Sequence, residues 1–307
     1  MSSTSFKSIL VAVRDPNART QHAIRKAAAI ATATGARVTL FHAFSAPYPL
    51  PKPVPTDPHA ILRMAAKERR AELLKLARAL RARGITVRCE VVWDFPPAHA
   101  IVRHVIDTKP DLVVAESHRH TRVARWFLAN SDWELIRECP CPVWFVKRER
   151  LAKNAVILTA IDPAHARAKP SGLDDRLLSA ATSVTDQLGG SVAAIHVENT
   201  LQLIHADPVP MATIRRLATR HGVAAEACLV RTGNPADEIV ASVAELDADL
   251  LVMGAVSRSG LGHAHIGHTA EAVIDAVTCD VLVVKPRGFK SAVARKGPKL
   301  PDGIAGK

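Results

Sequence analysis

Ser8-Ile-Leu-Val-Ala-Val-Arg-Asp-Pro16 returns later in the chain as Ala155-Val-Ile-Leu-Thr-Ala-Ile-Asp-Pro163. Both are short apolar runs that stop at Asp-Pro. A run of this length, rich in Val, Ile and Leu and followed by a turn signal, reads as a buried β-strand. Its return at a distance of 147 residues makes the chain an internal duplication, and a repeat of this kind governs every other assignment.

The duplication extends outward from these strands. An Ala-rich helical stretch follows each, Gln21–Thr34 and Leu177–Leu188, and each ends at a glycine, Gly35 or Gly189, placed as a helix C-cap. A second strand follows, Arg37–Ala43 or Ser191–Val197, with a histidine at the same position in both, His42 and His196. Next come a helix (Ala60–Arg83, Met211–His221), a strand (Thr86–Val92, Ala225–Val230) and a helix (Pro97–Thr108, Pro235–Leu246). Asp111-Leu-Val-Val-Ala115 and Asp249-Leu-Leu-Val-Met253 open the fourth strands. Cys141–Lys147 and Cys279–Lys285 close the halves, and from Asp111 onward the offset is 138. The nine-residue difference sits in the first half's longer middle, which includes the Pro-rich stretch Ala46–Pro55, a loop because proline cannot donate to a ladder.

Each half thus reads β-α-β-α-β-α-β-α-β. Continuous apolar strands alternating with helices predict an α/β fold of two tandem doubly wound sandwiches, each a five-stranded parallel sheet covered on both faces. Aromatics make up only 4% of the 307 residues, so the core must be aliphatic. The expected domains are 1–150 and 151–287, with 288–307 a basic disordered tail. Ligands on such sheets bind beyond the strand C-termini, at the switch in strand order.

Composition narrows the function classes. The longest apolar runs, such as Leu250–Val256, are far below the roughly 20 residues of a membrane span. The first residues carry no signal-peptide core, so a cytoplasmic location is expected. Five scattered cysteines (Cys89, Cys139, Cys141, Cys228, Cys279) do not form a disulfide framework. The net charge is +12, and residues 1–150 hold 25 of the 41 Lys and Arg but 13 of the 29 Asp and Glu. That asymmetry keeps a nucleic-acid partner open, although a solvated surface is the better explanation and no aromatic stacking platform accompanies it.

The segment Leu251-Val-Met-Gly-Ala-Val-Ser-Arg-Ser-Gly-Leu-Gly-His-Ala-His-Ile-Gly-His-Thr-Ala-Glu-Ala-Val-Ile274 carries the chemistry. A strand runs into a Gly-rich loop and then a helix beginning near His268 or Thr269, with Thr269 a candidate N-cap. The free N–H groups of such a helix start favour phosphate. Gly254 and Gly260 allow close backbone approach. This segment resembles the universal stress protein signature Gly-x2-Gly-x9-Gly-[Ser/Thr], and the resemblance covers about residues 6–147 and 154–286. It implies an adenine nucleotide alpha hydrolase-like fold, a stress-response role without catalysis, and pairing of the halves as an intramolecular pseudo-dimer through their last strands. Further assembly into a homodimer stays open.

The resemblance also implies a site for ATP or AMP, with Mg2+ accompanying ATP. Asp162 and Val197 would hold adenosine, and Gly254 and Gly267 the phosphates. Ser257 stands where the signature has its second glycine, and His268 where it has Ser or Thr. In the first half, Glu116 stands for Gly254 and Ala129 for Gly267, so that half is expected to be a degenerate site with Asp15 kept as a strand-end residue. Alternatives from other classes are a nucleotide-independent scaffold or nucleic-acid module, and a small-metabolite binder in the crevice. Loop histidines His118, His120, His263, His265 and His268 lack the three or four convergent ligands that zinc requires, so no metal site is assigned. No nucleophile elbow or Walker loop occurs, and no catalytic residue is assigned.

Overall fold

The computed structural model describes residues 6–45, 58–117, 130–148, 154–163, 172–200, 207–255 and 266–295. The chain divides into two compact units. One contains Phe6–Glu116, Thr121–Cys141 and Ser291–Lys307; the other contains Pro142–Lys290 and Ser117–His120. The cut does not follow the repeat: the last strand of the first half lies in the second unit.

In the first unit, strands β1 (Ser8–Ala12), β2 (Arg37–Phe44), β3 (Val87–Trp93) and β4 (Leu112–Glu116) form a parallel sheet in the order β3-β2-β1-β4. Its helices are α1 (His22–Thr34), α2 (Pro58–Arg81), α3 (Pro97–Thr108) and α4 (Asn130–Glu138). The Ala-rich face of α1 lets it pack closely, with Ala27, Ala28 and Ile30 fully buried. Gly35 ends that helix in the left-handed conformation, its N–H donating to the Ala31 carbonyl. Pro97 opens α3, where its missing N–H costs nothing.

The second unit begins with β5 (Val143–Val146). It continues with β6 (Ala155–Ala160), α5 (Leu173–Leu188), β7 (Gly190–Asn199), α6 (Met211–Thr219), β8 (Cys228–Gly233), α7 (Pro235–Glu245), β9 (Leu250–Gly254), α8 (His268–Ala276) and β10 (Asp280–Val284). Five strands are parallel in the order β10-β9-β6-β7-β8, the same winding as the first unit. The expected pairing of the two last strands is present: β5 lies antiparallel to β10, with Leu282 opposite Trp144. The fully buried Asp280 fastens this pair. Its carboxylate accepts from Trp144 Nε1 at 2.9 Å, Lys147 N at 2.8 Å and Arg148 N at 2.9 Å. Lys147 Nζ donates to the carbonyls of Ile274 and Val277, completing the C-terminus of α8.

Several boundaries differ from expectation. Ala225–Ala227 forms a short 3₁₀ turn rather than the start of a strand, because Ala-Glu-Ala favours a helical turn over the pleat. Helix α5 starts a turn earlier than Leu177, with Asp174 and Asp175 in its first turn, where carboxylates oppose the helix dipole. The expected disordered tail is held at its beginning. Val293 is buried, and Glu138 accepts from Ser291 Oγ at 2.9 Å and Ala292 N at 2.7 Å.

The register also corrects the repeat itself. Asp111 N donates to Ser8 O, whereas Asp249 N donates to Val156 O; Val13 N donates to Phe41 O, and Ile161 N to Ile195 O. The first strands are therefore related by 148 residues, not 147. Arg14, not Asp15, occupies the place of Asp162. The shared Asp-Pro misaligned the halves by one, and in a strand one residue exchanges the faces.

Candidate functional site

In the second unit, the C-terminal ends of β6, β7 and β9 bring Asp162, Val197 and Gly254 to one edge of the sheet. Asp162 follows Ile161, whose N–H still joins the ladder through Ile195 O at 2.9 Å, and its own N–H donates to Asp174 Oδ1 at 3.1 Å. The first turn of α5 thus holds the backbone at Asp162. Gly254 ends β9 opposite Val284. A Cβ there would lie 3.1 Å from Leu173 Cδ2, so Leu173, the first residue of α5, uses the space that glycine leaves.

Helix α8 follows β9 in the chain. Gly267 is its N-cap, with φ −71° and ψ 144° and no side-chain capping bond. His268 and Thr269 are the first two residues of the helix, and both are exposed. Thr269 is therefore not the N-cap that its hydroxyl suggested, because Gly267 already has the extended backbone of a cap. As a glycine, the N-cap offers no side chain to the N–H groups of the first turn. Ser257 and Gly260 lie outside the described residues, as do His118, His120, His263 and His265.

Lys285, whose role sequence reasoning missed, adds charge nearby. It is buried, its Nζ donates to Ala255 O at 3.1 Å, and it sits 4.7 Å from the centre of the Phe289 ring. Lys285 follows Val284, the partner of Gly254, so its charge is buried beside the end of β9. The only signal in the sequence was a lysine ending an otherwise apolar strand. Cys279, just before that strand, is fully buried, and burial pushes its thiol up to about 11, in keeping with a packing role.

The equivalent edge of the first unit is built differently. A cavity of about 510 Å3 opens beyond β1, β2 and β4, lined by Arg14, Asp15, His42, Phe44, Glu116 and Asp132 among others. Arg14 stands where the second half has Asp162, and pairs with Asp132 at 3.2 Å. Asp132 corresponds in turn to Ala270. Glu116 replaces Gly254, and its Oε1 accepts from the backbone N of His22 at 3.2 Å, at the start of α1. The expectation that Asp15 is the retained strand-end aspartate is corrected, since Asp15 instead turns the chain by accepting from Asn17 N at 2.9 Å.

Comparison with known proteins agrees with this duplicated architecture. The universal stress protein family model matches residues 5–147 and again 153–285. The chain belongs to the universal stress protein family, whose members are stress-response proteins. Universal stress protein E of Escherichia coli K12 is 28% identical over 309 residues, covering 94% of this chain and 96% of that protein. Among solved structures, a functionally unknown protein from Pseudomonas aeruginosa PAO1 is similar at 26% identity and TM-score 0.69, covering 92% of this chain and 94% of the other. A universal stress protein from Archaeoglobus fulgidus shares the fold at 19% identity and TM-score 0.66, over 92% and 97% of the two chains. Among the described residues, no helix is long and apolar enough to cross a membrane.

Proposed function

We propose that this universal stress protein is a non-enzymatic stress-response regulator whose second half holds an adenine nucleotide. The observation that carries the reading is the convergence of three features at the switch in strand order. These are the Asp162 carboxylate, the side-chain-free Gly254, and the helix N-terminus at Gly267 with no side-chain cap. A carboxylate next to Val197 suits a ribose and a flat base. A helix start capped by glycine suits phosphate, and Lys285 adds positive charge at the end of β9. The nucleotide, when bound, supplies the charge and the ring that these groups recognise. The chain's own residues bind and orient it, and Asp162 would supply a carboxylate to an accompanying Mg2+.

Gly254→Glu tests the reading, because it copies Glu116 into the second half. The expected result is loss of ATP binding in a protein that still melts cooperatively. Unchanged affinity in that folded variant would show that the loop after β9 does not hold the phosphates.

A further inference from the structure

We propose that the outer face of α2 binds the phosphate backbone of a nucleic-acid duplex, without reading its sequence. Helix α2 packs on β3, the end strand in the order β3-β2-β1-β4. It is 24 residues long, whereas α6, its counterpart in the second half, has 9. The fold therefore does not require the extra length.

Leu73, Ala77 and Leu80 bury the inner face of α2. The opposite face exposes Arg63, Lys67, Arg70, Lys75, Arg78 and Arg81. At 3.6 residues per turn these fall within about 140° of the circumference, and from Arg63 to Arg81 they extend over about 27 Å. The acids of the helix are Glu68 and Glu72, and Glu72 pairs with Lys75 at 2.7 Å. Part of the basic excess of residues 1–150 is thus gathered on one helix face.

Two of these cations are held in place without being neutralised. Arg103, Arg137 and Arg231 are each bound by a carboxylate. Arg70 Nη1 instead donates to Cys89 O at 3.4 Å, and Arg81 Nη2 to Val87 O at 2.8 Å. Val38 N donates to Thr86 O, so the carbonyls of Val87 and Cys89 lie on the open edge of β3. A carbonyl orients a guanidinium but does not cancel its charge. Ordering these side chains in advance lowers the cost of binding an anion.

The rest of the surface chooses the partner. Arginines over the edge carbonyls oppose addition of a β-strand there. Among the described residues, Met64 is the one large apolar side chain exposed on α2, whereas a helix lying on a membrane needs an apolar face. The helix has no Phe, Tyr or Trp, so unpaired bases find no stacking platform. A duplex presents the regular row of charges that remains, roughly one per 1.7 Å of its axis. Outside the described residues the only acids are Asp57, Glu149 and Asp302, in segments that hold more Lys and Arg than that, so they do not cancel the face. The proposal does not rest on nucleotide binding by the second half.

The test is fluorescence anisotropy of the full chain with a labelled DNA duplex of about 20 base pairs, repeated with the RNA duplex of the same sequence and over a range of salt. The logarithm of the binding constant should fall linearly with that of the salt concentration, with a slope of about −4, and the two duplexes should bind within about threefold of each other. Lys67 and Arg78 make no ion pair among the described residues. Lys67→Gln with Arg78→Gln should weaken binding at least tenfold at about 50 mM salt and reduce the slope by about 2. Arg215→Gln with Arg216→Gln removes the same charge from exposed positions on α6 and should change both little. Both variants should melt as the wild type does. Absence of duplex binding, equal loss in the two variants, tighter binding of a single strand, displacement of the duplex by ATP, or binding to phosphatidylserine vesicles alone would each overturn it.

Discussion

Glu116 Oε1 accepts a hydrogen bond from the backbone N of His22 at 3.2 Å, in the first half, at the position where the second half has Gly254 against the side chain of Leu173. The two halves solve the junction between the fourth strand and the first helix in opposite ways. In one, a carboxylate reaches back to the helix start, and Gln21 makes no side-chain cap of its own. In the other, a helix residue reaches forward into the space left by a glycine. Where the second half has a glycine, the first half thus has a side chain that caps a helix.

Glu116→Ala should destabilise the protein by about 1 kcal/mol, the cost of a lost N-terminal cap. Urea unfolding of variant and wild type measures it. No change in midpoint would mean that Glu116 does not support α1.

Asp280→Ala should cost on the order of 3 kcal/mol, because Trp144 Nε1, Lys147 N and Arg148 N all donate to that buried carboxylate. Asp280→Asn, which keeps an acceptor of the same size, should cost less. The pair of unfolding curves checks the order of the two effects. The position was not legible as important, since an aspartate opening an apolar strand reads as a turn residue. Its burial comes from β5, a strand more than 130 residues earlier.

Arg14→Ala and Asp132→Ala should show positive coupling in a double-mutant cycle, on the order of 1 kcal/mol. Asp132 is nearly buried, with 8% of its side chain exposed, while Arg14 is 44% exposed, which screens the pair. Additive single effects would show that the ion pair contributes nothing. Finding this pair in the sequence required the one-residue shift of the repeat, and the matching Asp-Pro turns concealed it. The strands, their succession with the helices and the doubly wound class were legible from periodicity and duplication. The pairing of Arg14 with Asp132 was not, because an Arg-for-Asp exchange shows its partner only after folding.

His42 and His104 both have folded pKa values below 6.5, chiefly through burial. Below pH 6.5 the unfolded chain takes up protons before the folded one does. Their contribution to stability is thus fully present above pH 6.5 and is lost as pH falls from there towards the folded values. The urea midpoint should drop between pH 7.5 and pH 5.5, and the drop should shrink in a His42→Gln, His104→Gln variant. An equal drop in that variant would assign the acid sensitivity to other groups.

The most direct measurement is calorimetric titration of the full chain with ATP, with and without Mg2+, repeated on Asp162→Ala and Arg14→Ala. The account predicts one saturable site per chain, weakened at least tenfold by Asp162→Ala and unaffected by Arg14→Ala. Two sites, no site, or a single site lost with Arg14 rather than Asp162 would contradict it.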